Sequence, residues 1–193
     1  MYTISNNVIN ELLIKNSKFI TIICNFNDIG EYDKIMNEIK NEYSDATHYC
    51  YAYITMEQKK ASDDGEPTGT AGIPILKVLD NNNLVNVLAV VIRYFGGIKL
   101  GANGLIRAYT KSISEALKKA NVKKLINGFN VNITFNYDKI NEIDYLLKDV
   151  KINEKIFNDL VTYNIDIEKD FIKKIDCIKS INYKIIKDIL ILK

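Results

Sequence analysis

The stretch LVNVLAVVIRYFGG, residues 84–97, decides the fold. Nearly every position up to Ile92 is apolar, as in a strand buried on both faces, and Gly96-Gly97 ends it abruptly. After this stop a helix is expected over about residues 103–120.

Upstream, residues 8–15 and 18–26 read as strands rich in β-branched and aromatic residues, with Asn16 and Ser17 turning a hairpin between them. Asp28 can cap a helix to about residue 43, whose Ile29, Tyr32, Ile35, Met36 and Ile39 share one face. A strand over 47–55 follows, then a polar loop over 56–72, a short helix over 74–79 and a turn at 81–83. Asn127 and Gly128 read as a domain boundary. Beyond them the pattern predicts a strand over 129–137, a helix over 138–150, strands over 151–158 and 160–167, a helix over 169–179 and a strand over 183–191. The fold class expected is α+β with two domains, 1–126 and 127–193. The βαββαβ order of the second resembles a ferredoxin-like fold.

With 193 residues, 47% hydrophobic and 26% charged, the chain has ordinary globular composition and can bury one good core or two small ones. No apolar run approaches the roughly 20 residues that cross a bilayer, and the amino terminus lacks the basic start and apolar centre of a signal peptide. The cytoplasm is the expected location, with no membrane partner. Cys24, Cys50 and Cys177 are too few and too scattered for a disulfide framework. A net charge of +2 does not by itself imply nucleic-acid binding. Charge is unevenly distributed, however: residues 28–66 hold ten acidic and four basic side chains, whereas residues 93–124 hold eight basic ones against Glu115 alone. That asymmetry marks either a patch for an anionic partner or a solvated helix face. Within 127–193 the two signs cancel, eleven against eleven.

Seven of the nine glycines and both prolines lie between Gly65 and Gly104, which makes this the segment under tightest backbone demand. Its loop, SDDGEPTGTAG over 62–72, gathers Asp63, Asp64 and Glu66 with Thr70. Such a loop can hold Mg²⁺, but a surface loop whose side chains bond their own backbone fits better, and neither metal nor cofactor is expected. The second segment, RYFGGIKLGANGLIRAY over 93–109, runs from strand through glycine turn into helix. There Arg93, Tyr94, Gly96, Gly97, Lys99, Gly101, Asn103, Gly104 and Arg107 can surround an anion at the helix start, or the glycines can simply let strand and helix pack closely. Lys111, Lys118, Lys119, Lys123 and Lys124 extend a basic patch. His48 and Cys50 fall on one face of a strand and read as a hydrogen-bonded core pair rather than base and nucleophile. Tyr49, Tyr51 and Tyr53 on the other face cover the sheet or stack on bases.

Lys15 to Phe19, HYCYAY over 48–53, SDDGEPTGTAGIPIL over 62–76 and VVIRYFGGIKLGANGLIRAY over 90–109 together resemble the IMPACT family in its bacterial YigZ-type form. The resemblance covers roughly the first 125 residues, and the tail agrees in element order. It implies a first domain like the second domain of a small-subunit ribosomal protein and a tail like the last domain of elongation factor G. One departure is Asn103, where the family pattern has glycine; asparagine tolerates a left-handed turn there. The implied function is a translation-linked regulatory or binding protein whose partner is RNA, the ribosome or a translation-regulating protein. An alternative is a hydrolase or transferase acting on a small anionic substrate between Asp63, Asp64, Glu66 and the 93–104 turn. A protein-docking module without chemistry is the third.

Overall fold

A computed structural model describes residues 1–178 and 181–193. In chain order the elements are β1 (Tyr2–Ile4), β2 (Val8–Ile14), β3 (Ser17–Asn25), α1 (Tyr32–Glu42), β4 (His48–Ile54), β5 (Lys59–Ser62), α2 (Gly72–Asn81), β6 (Val87–Tyr94), α3 (Ala102–Leu117), β7 (Val122–Phe135), α4 (Ile140–Leu146), β8 (Lys151–Phe157), β9 (Val161–Glu168), α5 (Ile172–Asp176) and β10 (Asn182–Leu192). Two compact units result, Met1–Lys123 and Lys124–Lys193.

In the first unit an antiparallel sheet runs β2-β3-β6-β4-β5, with the apolar strand β6 at its centre. Alternation sorts its side chains onto two cores. Val87, Ala89 and Val91 join Phe19, Ile23, Cys50 and Ala52 beneath α2 and α3. Leu88, Val90 and Ile92 join Tyr51 and Tyr53 beneath Met36 and Ile39 of α1. Tyr51 and Tyr53 are therefore buried against α1, which settles them as cover for the sheet rather than as a stacking platform.

Three details differ from the sequence reading. The β2–β3 turn is Lys15-Asn16, not Asn16-Ser17: both residues take positive φ, the mirror-image turn that matches strand twist, and Ser17 is already the first residue of β3. Asp28 caps a single 3₁₀ turn, accepting from the Gly30 amide at 2.8 Å, and the α-helix starts only at Tyr32. The loop after β4 contains a strand, β5, whose sequence KKAS carries no apolar alternation to announce it.

The second unit has the antiparallel order β8-β9-β7-β10. Its core of Val131, Ile133, Phe135, Tyr163 and Ile165 lies on the sheet face packed against Ile143 of α4 and Ile175 of α5. Strand β7 runs unbroken through Asn127 and Gly128, where the sequence suggested a break. A Cβ on Gly128 would sit 2.3 Å from Ile191 Cδ1 and 2.5 Å from the Ile167 carbonyl, so this glycine serves close packing inside a strand, not a turn. Both helices here begin with a 3₁₀ turn and are shorter than expected; position 179, the expected end of the last one, lies outside the described residues.

Candidate functional site

Register brings the chemistry of the first unit to one end of its sheet. His48 lies opposite Arg93, and Arg93 opposite Phe19. Because strand side chains alternate, Ser17, Phe19, His48, Cys50 and Arg93 all point to the face under α2 and α3. The loop between β5 and α2 closes over them.

Glu66 descends from that loop into the core. Its carboxylate Oε1 accepts from the Arg93 guanidinium at 2.6 Å and from the Tyr109 hydroxyl of α3 at 2.8 Å. Both charged side chains are almost fully enclosed, 3% and 5% exposed. Arg93 also donates to Ser17 Oγ at 3.3 Å, and the same Oγ accepts from the Gly96 amide. The guanidinium lies between the rings of Phe19 and Phe95, 5.5 Å from each centroid. His48 Nε2 approaches Glu66 Oε2 at 4.0 Å, while its Nδ1 meets the Asp64 carbonyl at 2.8 Å. Loop, sheet end, glycine corner and α3 are thus pinned by one buried ion pair.

Asp63 organises the loop itself. Oδ1 accepts from the Ala71 and Gly72 amides at 2.9 Å and Oδ2 from the Gly69 amide at 2.8 Å. Two of these amides begin α2, so the carboxylate caps that helix from outside and satisfies its positive end. Burial pushes the Asp63 carboxyl up, but the three amide hydrogen bonds outweigh it and hold the group below its ordinary 3.8. A depressed folded value stabilises the fold above the unfolded value, and that contribution is lost as pH falls through the folded one. Asp63→Asn should therefore be less stable than wild type at neutral pH and should lose less additional stability below pH 3.8, as read by denaturant melts across the acid range.

Asp64 has left-handed backbone, and its Oδ2 accepts from the Tyr49 amide at 2.7 Å. Thr70 Oγ1 donates to the Pro67 carbonyl at 2.6 Å. Cys50 is wholly buried, its thiol 2.9 Å from the Asp63 carbonyl and 3.2 Å from the Tyr109 hydroxyl. Burial pushes this thiol up to about 12, against the opposing effect of the Tyr109 hydrogen bond, so no thiolate forms at neutral pH. The Tyr109 hydroxyl is pushed up as well, by burial first and then by Cys50 and Glu66.

The structure thus joins Asp63, Glu66, Thr70, Arg93 and Gly96 in one internal bonding system. The rest of the expected site lies outside it. Tyr94 donates to Asp45 at 3.1 Å beneath Lys18, whose Nζ sits 4.5 Å from the ring centroid. Gly97 and Gly101 have positive φ in open space. Asn103 lies in the first turn of α3 with ordinary helical backbone, so the left-handed tolerance expected of it is not used; Gly101 is the left-handed residue. Gly104 follows within α3, where an added Cβ would stand 3.1 Å from Leu100 Cβ. Lys99, Arg107, Lys111, Lys118 and Lys119 are exposed, Lys118 paired with Glu115 at 2.7 Å; Lys123 is half-buried and Lys124 opens the second unit. Ser17 and Tyr109 were not among the expected site residues. The register sets Phe19 opposite Arg93 and so brings Ser17, two residues away on the same face, within reach of the guanidinium, and the reach of α3 over the sheet reveals the second.

The loop, the glycine corner and most of α3 lie inside a segment that matches a known domain family. The description of the Impact N-terminal domain fits residues 15–117. IMPACT family member YvyE of Bacillus subtilis is 40% identical over 156 residues, covering 76% of this chain and 72% of that one. IMPACT family member YigZ of Escherichia coli is 33% identical over 139 residues, 69% and 68% of the two chains. The chain belongs to the IMPACT family. A crystal structure described only as that of a hypothetical protein superposes with a TM-score of 0.64 at 28% identity, over 96% of this chain and 97% of the other. Among the described residues, no helix is long and apolar enough to cross a membrane, and no three His, Cys, Asp or Glu side chains are grouped to hold a metal ion.

Proposed function

We propose that this protein is a translation-linked binding protein that holds RNA, free or within the ribosome, along the outer face of α3. The observation that carries this reading is a cationic stripe. Arg107, Lys111 and Lys118 are exposed and spaced by four and seven residues, which places them in one line on the helix over roughly 16 Å. Lys119, exposed in the turn after α3, adds a fourth cation beside the end of this line. Such a row suits successive backbone phosphates. The amides that begin α3 have no side-chain cap and add donors beside Lys99, Gly97 and Gly101, the anion-binding corner expected from the sequence. A hydrolase or transferase reading draws no such support, because Asp63 and Glu66 are engaged with amides, Arg93 and Tyr109.

Two further likenesses favour translation over other RNA roles. Membership of the IMPACT family implies a first unit like the second domain of a small-subunit ribosomal protein. The second unit's strand order supports the ferredoxin-like likeness to the last domain of elongation factor G. Neither domain likeness carries function alone. The test is fluorescence anisotropy of a labelled single-stranded oligouridylate against salt. Four cations on phosphates give a log–log slope of about −3. Arg107→Glu with Lys111→Glu and Lys118→Glu should weaken binding at least about tenfold and cut the slope by about two. Unchanged affinity and slope would remove the reading.

A further inference from the structure

The second sheet packs its helices on one face only; its other face carries an ordered network of amides around a carboxylate. Asn130, 8% exposed, donates to Asn164 Oδ1 at 2.8 Å and to Asp166 Oδ1 at 2.7 Å. Asn164 donates back to Asn130 at 3.0 Å and onward to Asn132 at 2.6 Å. Asn153 donates to Asn164 at 3.0 Å and to Asp166 Oδ1 at 2.8 Å. Asparagine is disfavoured in strands, so four of them locked around one Asp is an arrangement that β-propensity does not explain.

Two β-bulges shape the spot. The register of β8 against β9 shifts between Ile152 and Glu154, so Asn153 is the extra residue, and its side chain reaches the open face. The register of β10 against β7 shifts between Ile185 and Lys187, which sets Lys187 opposite Asn130. Bulges re-aim side chains and recur beside binding sites. An open cavity of about 410 Å³ results, lined by Asn130, Asn153, Asn164, Asp166, Lys187 and the apolar Ile189 and Leu190. That volume lies within the range of small-molecule sites.

The unused hydrogen-bonding capacity defines the ligand. A carboxylate cannot donate, so the Asn153 atom meeting Asp166 is its NH₂, and its carbonyl oxygen remains as an acceptor without a partner among the described residues. Among the described residues, Asp166 Oδ2 accepts only from Lys151, at 3.3 Å, and keeps acceptor capacity. Burial pushes the Asp166 carboxyl up, but its amide and ammonium partners more than reverse this and keep it ionised. Lys187 forms no ion pair among the described residues and supplies donors. A ligand must therefore present two adjacent donors and, beside them, an acceptor, on a flat body that can lie against Ile189, which alternation places on the same face as Lys187. The Watson–Crick edge of guanine does so, with N1–H and the 2-amino group for Asp166 and Asn153 and O6 for Lys187. We infer that this face is a guanine-binding site, filled by a free guanine nucleotide or by an unpaired guanosine in RNA. The site does not depend on the α3 stripe.

The test titrates the full chain, by calorimetry, with guanosine, inosine and adenosine 5′-monophosphates, and by anisotropy with labelled oligouridylates carrying one central guanosine or inosine. Guanosine should bind about 5- to 150-fold more tightly than inosine, which lacks only the 2-amino group, in one arm or both. Binding of the mononucleotide identifies a free nucleotide as ligand, and binding of the oligonucleotide alone identifies RNA. Asp166→Asn should abolish the guanosine preference. Exposed Lys187→Ala, which leaves the network intact, should weaken guanosine and inosine alike by losing the O6 contact. Equal affinity for guanosine and inosine in both arms, a guanosine preference untouched by Asp166→Asn, or binding untouched by Lys187→Ala overturns the inference.

Discussion

Arg93→Met should lower the free energy of unfolding by about 3–5 kcal/mol, the cost of leaving a buried charge without its partner. Glu66 is 3% exposed and, among the described residues, would keep only the Tyr109 hydroxyl as a close partner and His48 at 4.0 Å. The double substitution Glu66→Gln with Arg93→Met removes both charges and should recover much of the loss, because the penalty belongs to the unpaired charge rather than to the absent bridge. Denaturant unfolding of the four proteins gives the coupling directly. Additive losses would show that the pair does not hold the loop to the sheet.

A comparably large effect is expected at the glycine corner. A Cβ on Gly96 would stand 2.0 Å from the Asn16 carbonyl oxygen and 2.5 Å from the Ser17 amide nitrogen, both backbone atoms of the β2–β3 hairpin. Nothing there can rotate aside. Gly96→Ala must separate the corner from the hairpin, breaking the Gly96 and Arg93 bonds to Ser17, and should cost more than the roughly 1–3 kcal/mol of ordinary overpacking. Gly97 is the control: its φ is +81° but its Cβ position is open, so Gly97→Ala should cost only about 1–2 kcal/mol of left-handed strain. Equal effects at the two positions would contradict the packing argument.

These two substitutions also show what the sequence could and could not disclose. The apolar run ending at Ile92 and its double glycine marked the central strand and its stop, because burial on both faces leaves an unmistakable composition. Residues 62–72 stood out by their glycines and carboxylates. Which of those carboxylates turns inward was illegible: Asp63, Asp64 and Glu66 are chemically alike in sequence, and only the approach of Arg93 and Tyr109 singles out Glu66. Asp63 faces three amides instead. The expected recess for an anion relied on Arg93 being available, and strand alternation turns that residue into the core. The β5 strand and the bulge at Asn153 are set by pairing between distant segments and leave no local periodicity to read. Asn127-Gly128 shows the converse error, since a turn dipeptide and a close-packed strand glycine look identical until Ile191 is placed beside it.

Arg93 and Glu66 form an internal clamp, whereas the outward cations of α3 are the proposed binding surface. Oligouridylate affinity at low salt, measured for wild type, for the Glu66→Gln/Arg93→Met pair and for the triple reversal at Arg107, Lys111 and Lys118, separates these roles. Wild type and the clamp variant should bind alike, and the triple variant should lose at least about tenfold. Binding lost in a folded clamp variant but kept in the triple variant, or absent from wild type, would contradict the account.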